Sequence, residues 1–260
     1  YIDRQPFSVY YMTVSGHAAY TYIGNYMSSK NKAEVKIVFH NSDVEQLEYY
    51  IEQYCDLYDY YVVMPHFDID DQTQMRVAKI LSRIPNRKFI MIDYCNRFMN
   101  GHFGAIYQDL FIDPEKGLSE AVEDLKNARR LNLVTLQSRY GVWTRNSIER
   151  FCEKNKISLR LLDSFPEKIE KGEVFFLQTG KLSNALAEFD EIVKNNKMEL
   201  GKDVGLISYN DVPLNAVVLG GLTTISTDFV KMGKLAADMI LCEKMDKIHN
   251  EFRMIRRKTF

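Results

Sequence analysis

Three carboxylates stand within five residues at Phe67-Asp68-Ile69-Asp70-Asp71. Neighbouring carboxylates can exchange protons with a substrate or hold a divalent cation. These, however, precede a helix predicted over Thr73–Leu81, where aspartate is favoured by N-capping and by the helix dipole. Capping is the role the spacing supports. Five histidines are scattered at 17, 40, 66, 102 and 249. His17, His40 and His66 each follow a predicted strand and could line one cleft. A metal site needs three or four converging ligands, and no spacing motif gathers them, so no metal is expected. The chain lacks a G-x-S-x-G elbow, a G-x-x-x-x-G-K-[ST] phosphate loop, G-x-G-x-x-G, H-E-x-x-H and a calcium loop. Those are the local arrangements that activate nucleophiles, cradle phosphates or hold metals. No catalytic residue, cofactor or enzymatic activity is expected.

Composition narrows the class further. The chain has 260 residues, with 34 Lys and Arg against 35 Asp and Glu, for a net charge of −1. Nucleic-acid binding draws much of its affinity from phosphate neutralisation, so these residues alone are a poor DNA or RNA grip. Cys55, Cys95, Cys152 and Cys242 are far apart and form no C-x-x-C pair. Reduced, mostly buried thiols in a cytoplasmic protein are expected rather than a disulfide scaffold or zinc site. No run reaches the ~18 apolar residues of a membrane span, and no membrane partner is expected. The opening Tyr-Ile-Asp-Arg-Gln-Pro reads as a linker, residues 1–6, from something upstream.

The elements that position any site are legible as apolar runs. Ser8–Met12, Val35–Phe39, Tyr61–Met64, Phe89–Asp93, Leu131–Leu136, Ser158–Leu162, Val174–Leu177 and Val204–Ser208 are rich in branched and aromatic residues without polar alternation. That is the pattern of strands buried on both faces. Helical stripes lie between them. Val44, Leu47, Ile51, Tyr54, Cys55 and Tyr58 share one face behind a Ser42/Glu45 capping box. Leu118, Ala121, Val122, Leu125 and Ala128 form another, opened by Asp113-Pro114, and Leu182 to Val193 a third. Alternating strands and helices predict parallel α/β sheets in two similar halves, separated by an irregular stretch from Tyr94 to Gly104. Ligands of such sheets bind beyond the carboxyl ends of the strands.

The segment Val204-Gly-Leu-Ile-Ser-Tyr-Asn-Asp211, followed by Gly221-Leu-Thr-Thr-Ile-Ser-Thr-Asp-Phe-Val-Lys-Met-Gly233, resembles the effector domains of the lactose/galactose-repressor family. Arg253-Met-Ile-Arg-Arg-Lys-Thr-Phe260 resembles the family's last strand, Tyr58–Pro65 its third and Lys88–Asp93 its fourth. The resemblance implies a type I periplasmic-binding-protein fold: two doubly wound parallel-sheet lobes joined by three crossovers, with a small-molecule effector in the cleft between them. It places an N-terminal lobe at 7–129 plus about 227–247 and a C-terminal lobe at 130–226 plus about 248–260. The stretch Ala105–Leu125 is more similar to regulators with a gluconate-repressor-type winged helix upstream.

By the same resemblance the effector, a mono- or disaccharide, meets Ser15 and His17 after the first strand and Asn210 where the family has a sugar-binding Asp. Asp211 keeps the motif's second acidic position. The family's Arg-x-x-Gly-Phe is not kept. Arg145 stands two positions early, Arg150 replaces the glycine, and Trp143 could cover a sugar's apolar face. Gln178-Thr179-Gly180 replaces an Asn-Asp, making Thr179 a further candidate contact. The expected function is the effector-binding and dimerisation domain of a bacterial transcription regulator, allosterically controlling DNA binding through an N-terminal domain missing from this sequence. The alternative is an exported solute-binding protein of a transporter.

Overall fold

The computed structural model describes residues 7–13, 33–136, 141–179 and 182–260. The chain opens with β1 (Phe7–Thr13), β2 (Ala33–Phe39), α1 (Val44–Tyr54), β3 (Tyr60–Val63), α2 (Asp71–Leu81), β4 (Phe89–Asp93) and β5 (Gly104–Tyr107). It continues through α3 (Asp113–Ser119), α4 (Val122–Asn127), β6 (Arg130–Leu136), α5 (Gly141–Asn155), β7 (Leu159–Leu162), β8 (Glu173–Thr179), α6 (Leu182–Asn195), β9 (Gly205–Tyr209) and β10 (Thr223–Thr227). It closes with α7 (Phe229–Leu241), β11 (Lys247–His249) and β12 (Phe252–Ile255).

Two units result, each with its own six-stranded sheet. The first runs as far as Asp109 and resumes over Asp228–Glu251; the second holds Leu110–Thr227 and Phe252–Phe260. The chain therefore passes between units three times. In the first unit the strand order is β11-β5-β4-β3-β1-β2 and all pairings are parallel. In the second it is β12-β10-β9-β8-β6-β7, parallel except for β12, which runs antiparallel to β10.

The unbroken apolar runs have a direct cause. Successive strand residues point to opposite faces, and both faces of each sheet are covered. Val9 and Tyr11 enter one core with Met232, Ala236 and Ile240 of α7, while Tyr10 and Met12 enter another with Leu47 and Ile51 of α1 and Val77 and Leu81 of α2. The second unit repeats the arrangement. Val174 and Phe176 pack with Ile148 and Phe151 of α5, and Phe175 and Leu177 with Ala185 and Phe189 of α6.

Three expectations need correction. The first unit does not extend to 129, nor does it leave the chain at 247. Helices α3 and α4 belong to the second unit, because the Leu118, Ala121 and Leu125 stripe packs with Leu131, Leu133, Ile225 and Phe252. Residues 248–251 stay with the first, because β11 pairs with β5. The 118–128 stripe forms two short helices instead of one, broken at Glu120 and Ala121. The cap of α1 is Asp43, whose carboxylate accepts from the N–H groups of Glu45 and Gln46, not Ser42, which sits at φ 62°. The proposed linker, 1–6, lies outside the described residues.

Candidate functional site

In the first unit the carboxyl ends of the strands carry a connected polar group. β4 ends at Asp93, whose backbone is left-handed at φ 70°, a conformation that Asp and Asn tolerate better than other side chains. His66, in the loop after β3, brings its Nε2 within 2.8 Å of Asp93 Oδ2. Gln108, just past β5, donates from Nε2 to Asp93 Oδ1 at 2.7 Å, and its backbone N–H donates to the Asp93 carbonyl. The carboxylate is only 1% exposed. Next to it, burial pushes the Tyr94 phenol up to about 12. At the end of β5, Tyr107 stacks on His249 of β11 with centroids 5.5 Å apart and planes 6° from parallel.

His40 does not join this group. It is fully buried, its Nε2 2.9 Å from the Met64 carbonyl, its Nδ1 accepting from the Ser42 N–H, and its ring stacked on Phe67. Both ring nitrogens hold a loop together. The Asp68-Asp70-Asp71 cluster caps α2, as its position requires: Asp70 accepts from the Thr73 N–H at 2.8 Å, which holds its carboxyl below the usual range, and Asp71 pairs with Arg97. Among the described residues no three His, Cys, Asp or Glu side chains are grouped to hold a metal, and no helix is long and apolar enough to cross a membrane.

In the second unit Asn210 follows β9 directly, again left-handed, at φ 67°. Its N–H donates to the Ile225 carbonyl and its own carbonyl accepts from Asn215 Nδ2. Its Oδ1 is buried with no donor among the described residues. One strand over, Gln178 donates from Nε2 to Thr144 Oγ1, and its Oε1 is likewise buried and without a donor among those residues. Buried acceptors left unpaired cost about 1–3 kcal/mol each, so these amides are poised for a hydroxyl or ammonium donor.

The other sequence candidates separate. Asp211 is engaged by the protein itself, through Arg257, Thr224 Oγ1 at 2.9 Å and Asn215 Nδ2 at 3.5 Å. Arg145 points along the exposed face of α5 and pairs with Glu149 one turn on, at 2.9 Å. Trp143 packs against Phe111, centroids 4.9 Å apart, at the start of α5. Thr179 closes β8 opposite Leu136 of β6. Ser15 and His17 lie outside the described residues. Asp93 was within reach of sequence reasoning, being a carboxylate that closes an apolar strand; Gln108 was not, because β5 lay beyond the stretch read as irregular.

A cavity of about 300 Å³ opens in the second unit at the amino ends of β8 and β9, the edge opposite Asn210. Its charged groups are already matched: Arg256 with Asp124, Asp203 with Lys171, and Glu173 with Arg130 and Arg160.

Two doubly wound units crossed three times by the chain have the fold shared by periplasmic binding proteins and lactose-repressor effector domains. Solved structures match it over nearly the whole chain. A dimeric Lac repressor with an 11-residue C-terminal deletion superimposes with a TM-score of 0.71 at 15% identity, covering 96% of this chain and 98% of that one. A transcription regulator-like protein from Staphylococcus haemolyticus gives 0.71 at 11% identity, covering 98% of each chain. A periplasmic binding protein/LacI transcriptional regulator from Alkaliphilus metalliredigens QYMF, complexed with D-xylulofuranose, gives 0.65 at 13% identity, covering 96% and 98%. No protein-family model matches the sequence, and no curated protein sequence does.

Proposed function

We infer that this chain is the effector-binding part of a transcription regulator, taking a small hydroxyl-bearing molecule, a sugar, at the carboxyl ends of its strands. The observation that carries this reading is the buried Oδ1 of Asn210, an acceptor at the end of β9 without a donor among the described residues. The fold neighbours support the reading: a Lac repressor bound to ONPG and a relative complexed with D-xylulofuranose. With a net charge of −1, DNA contact falls to a separate N-terminal domain rather than to these residues. The chain acts as a homodimer in the cytoplasm, and effector binding shifts a two-state equilibrium that operator DNA also biases. Calorimetric titration with a panel of neutral mono- and disaccharides tests the function. One sugar is expected to give saturable heat that Asn210→Leu removes; silence across the panel overturns the sugar reading.

A further inference from the structure

Asn215 is 2% exposed, whereas Leu214 and Val217 on either side of it stand 63% and 69% exposed. A turn that faces water ordinarily does the reverse, hiding leucine and valine and leaving an amide outside. What the buried amide touches explains the inversion. Asn215 Nδ2 donates to the Asn210 carbonyl at 3.3 Å and, more weakly, to Asp211 Oδ1 at 3.5 Å. Both partners, a carbonyl and a carboxylate held by Arg257, only accept, so the amide meets them with its nitrogen. The backbone of Asn215 is pinned as well. Its N–H donates to the Val212 carbonyl at 2.9 Å, and its own carbonyl accepts from the Leu222 N–H at 2.8 Å.

Resting on the effector-site reading above, we propose that Asn215 is a positioning residue that holds Asn210 left-handed and so aims its Oδ1 at the effector. Asn210 sits at φ 67°, a conformation that a residue other than glycine keeps only where its surroundings over-determine it. The restraint comes from both sides. Its N–H is fixed by the Ile225 carbonyl at 2.9 Å, and its own carbonyl is fixed by Asn215. Asp211, next in the chain, is held by Arg257, and its N–H donates to Ser226 Oγ at 3.0 Å. Backbone conformation sets the direction of the Cα–Cβ bond, so a residue 210 relaxed to extended backbone carries its Oδ1 elsewhere. The bonds around Asn210 also offset the cost of an Oδ1 buried with no donor among the described residues. An acceptor held in one place beforehand spares binding that ordering. Asn215 acts through the Asn210 backbone and not by touching the effector.

The test has one arm that needs no effector. NMR backbone shifts and the amide–Hα coupling of Asn210 are expected to report a left-handed residue in the parent. Asn215→Leu keeps the buried volume and removes the donor, and there Asn210 is expected to average between conformations. Asn215→Ala, which adds no branch, gives the same readout if leucine does not fit. An Asn210 that stays left-handed in both variants overturns the proposal. The second arm uses whichever of D-ribose, D-xylose, D-galactose, D-glucose and lactose gives heat with the parent. Affinity for that sugar is expected to fall about tenfold in Asn215→Leu, the loss of one well-aimed hydrogen bond. Gly117→Ala supplies the control, because its Cβ meets Phe252 and Ile225 in the same unit and lowers stability without touching the 210–215 turn. It is expected to melt earlier and to bind the sugar as the parent does. Equal loss of affinity in Gly117→Ala, or full affinity in Asn215→Leu, makes Asn215 merely structural and overturns the proposal. A parent chain silent with every sugar overturns the effector reading alone, for the NMR arm then decides the hold on Asn210 by itself.

Discussion

Arg257 grips Asp211 with both arms of its guanidinium, Nη1 lying 2.8 Å from Oδ1 and Nη2 2.9 Å from Oδ2. The same Nη1 donates to the Leu222 carbonyl at 2.7 Å, which ties the last segment of the chain to the turn before β10 and to the residue after Asn210. Planar two-pronged recognition is specific to arginine; lysine offers a point charge on a flexible stem. Arg257→Lys is therefore expected to destabilise the second unit by about 1–3 kcal/mol, the cost of losing hydrogen bonds to a charged group, seen as a lower urea midpoint. An unchanged midpoint refutes the structural assignment of Asp211 and makes its carboxylate a candidate effector contact again.

Gly117 tests where the units divide. A Cβ built there would lie 2.9 Å from Phe252 Cε1 and 3.0 Å from Ile225 Cβ, so α3 packs on β10 and β12 of the second unit at closest approach. In an exposed helix Gly→Ala gains up to ~1 kcal/mol. Here overpacking outweighs that gain, and Gly117→Ala is expected to lose about 1–3 kcal/mol. Urea unfolding followed by circular dichroism decides the sign; a gain would mean that α3 does not pack as described.

The buried strands were legible because two covered faces force unbroken apolar runs, and Phe89–Asp93 matches β4 residue for residue. What escaped was set by tertiary contact. β5 begins at Gly104, where Met245, Ile90 and Met239 leave no room for a Cβ, and β11 is three residues long with alternating exposure. Neither has a local pattern. The same holds for the unit boundary: the stripe at Leu118–Leu125 announces a buried face but not which core receives it. In the candidate site, Asn210 was reachable through its motif. The polar group around Asp93 was not, since residues 66, 93 and 108 are brought together only by sheet order.

Alkaline stability reports on Tyr94. Burial raises its phenol from 10.0 to about 12, with the nearby Arg97 opposing the shift. Between those values the folded chain keeps a proton that the unfolded chain has lost. The contribution is therefore complete below pH 10 and declines as pH rises towards 12, by roughly 1.4 kcal/mol per pH unit. Tyr94→Phe is expected to flatten that limb of the stability–pH curve while leaving the region near neutrality parallel to the parent's. A limb of unchanged slope assigns the alkaline loss to other groups.

Thiol reactivity separates the cysteines by burial. Cys242, at the C-terminal end of α7, is exposed, whereas Cys152 is buried in the second unit's core and burial pushes its thiol up to about 12. Cys95 and Cys55 are also raised by burial, and the Cys55 thiol donates to the Arg83 carbonyl. Only thiolate attacks a disulfide reagent. At pH 8 Cys152 presents roughly one thiolate in ten thousand, and access is closed besides. Treatment with an aromatic disulfide is expected to give one fast equivalent, abolished by Cys242→Ser, with Cys152 titrating only as urea unfolds the chain. If the fast equivalent survives Cys242→Ser, a buried thiol is opening on the timescale of the reaction, and the packing of α5 on β6 and β8 around Cys152 is looser than its burial shows.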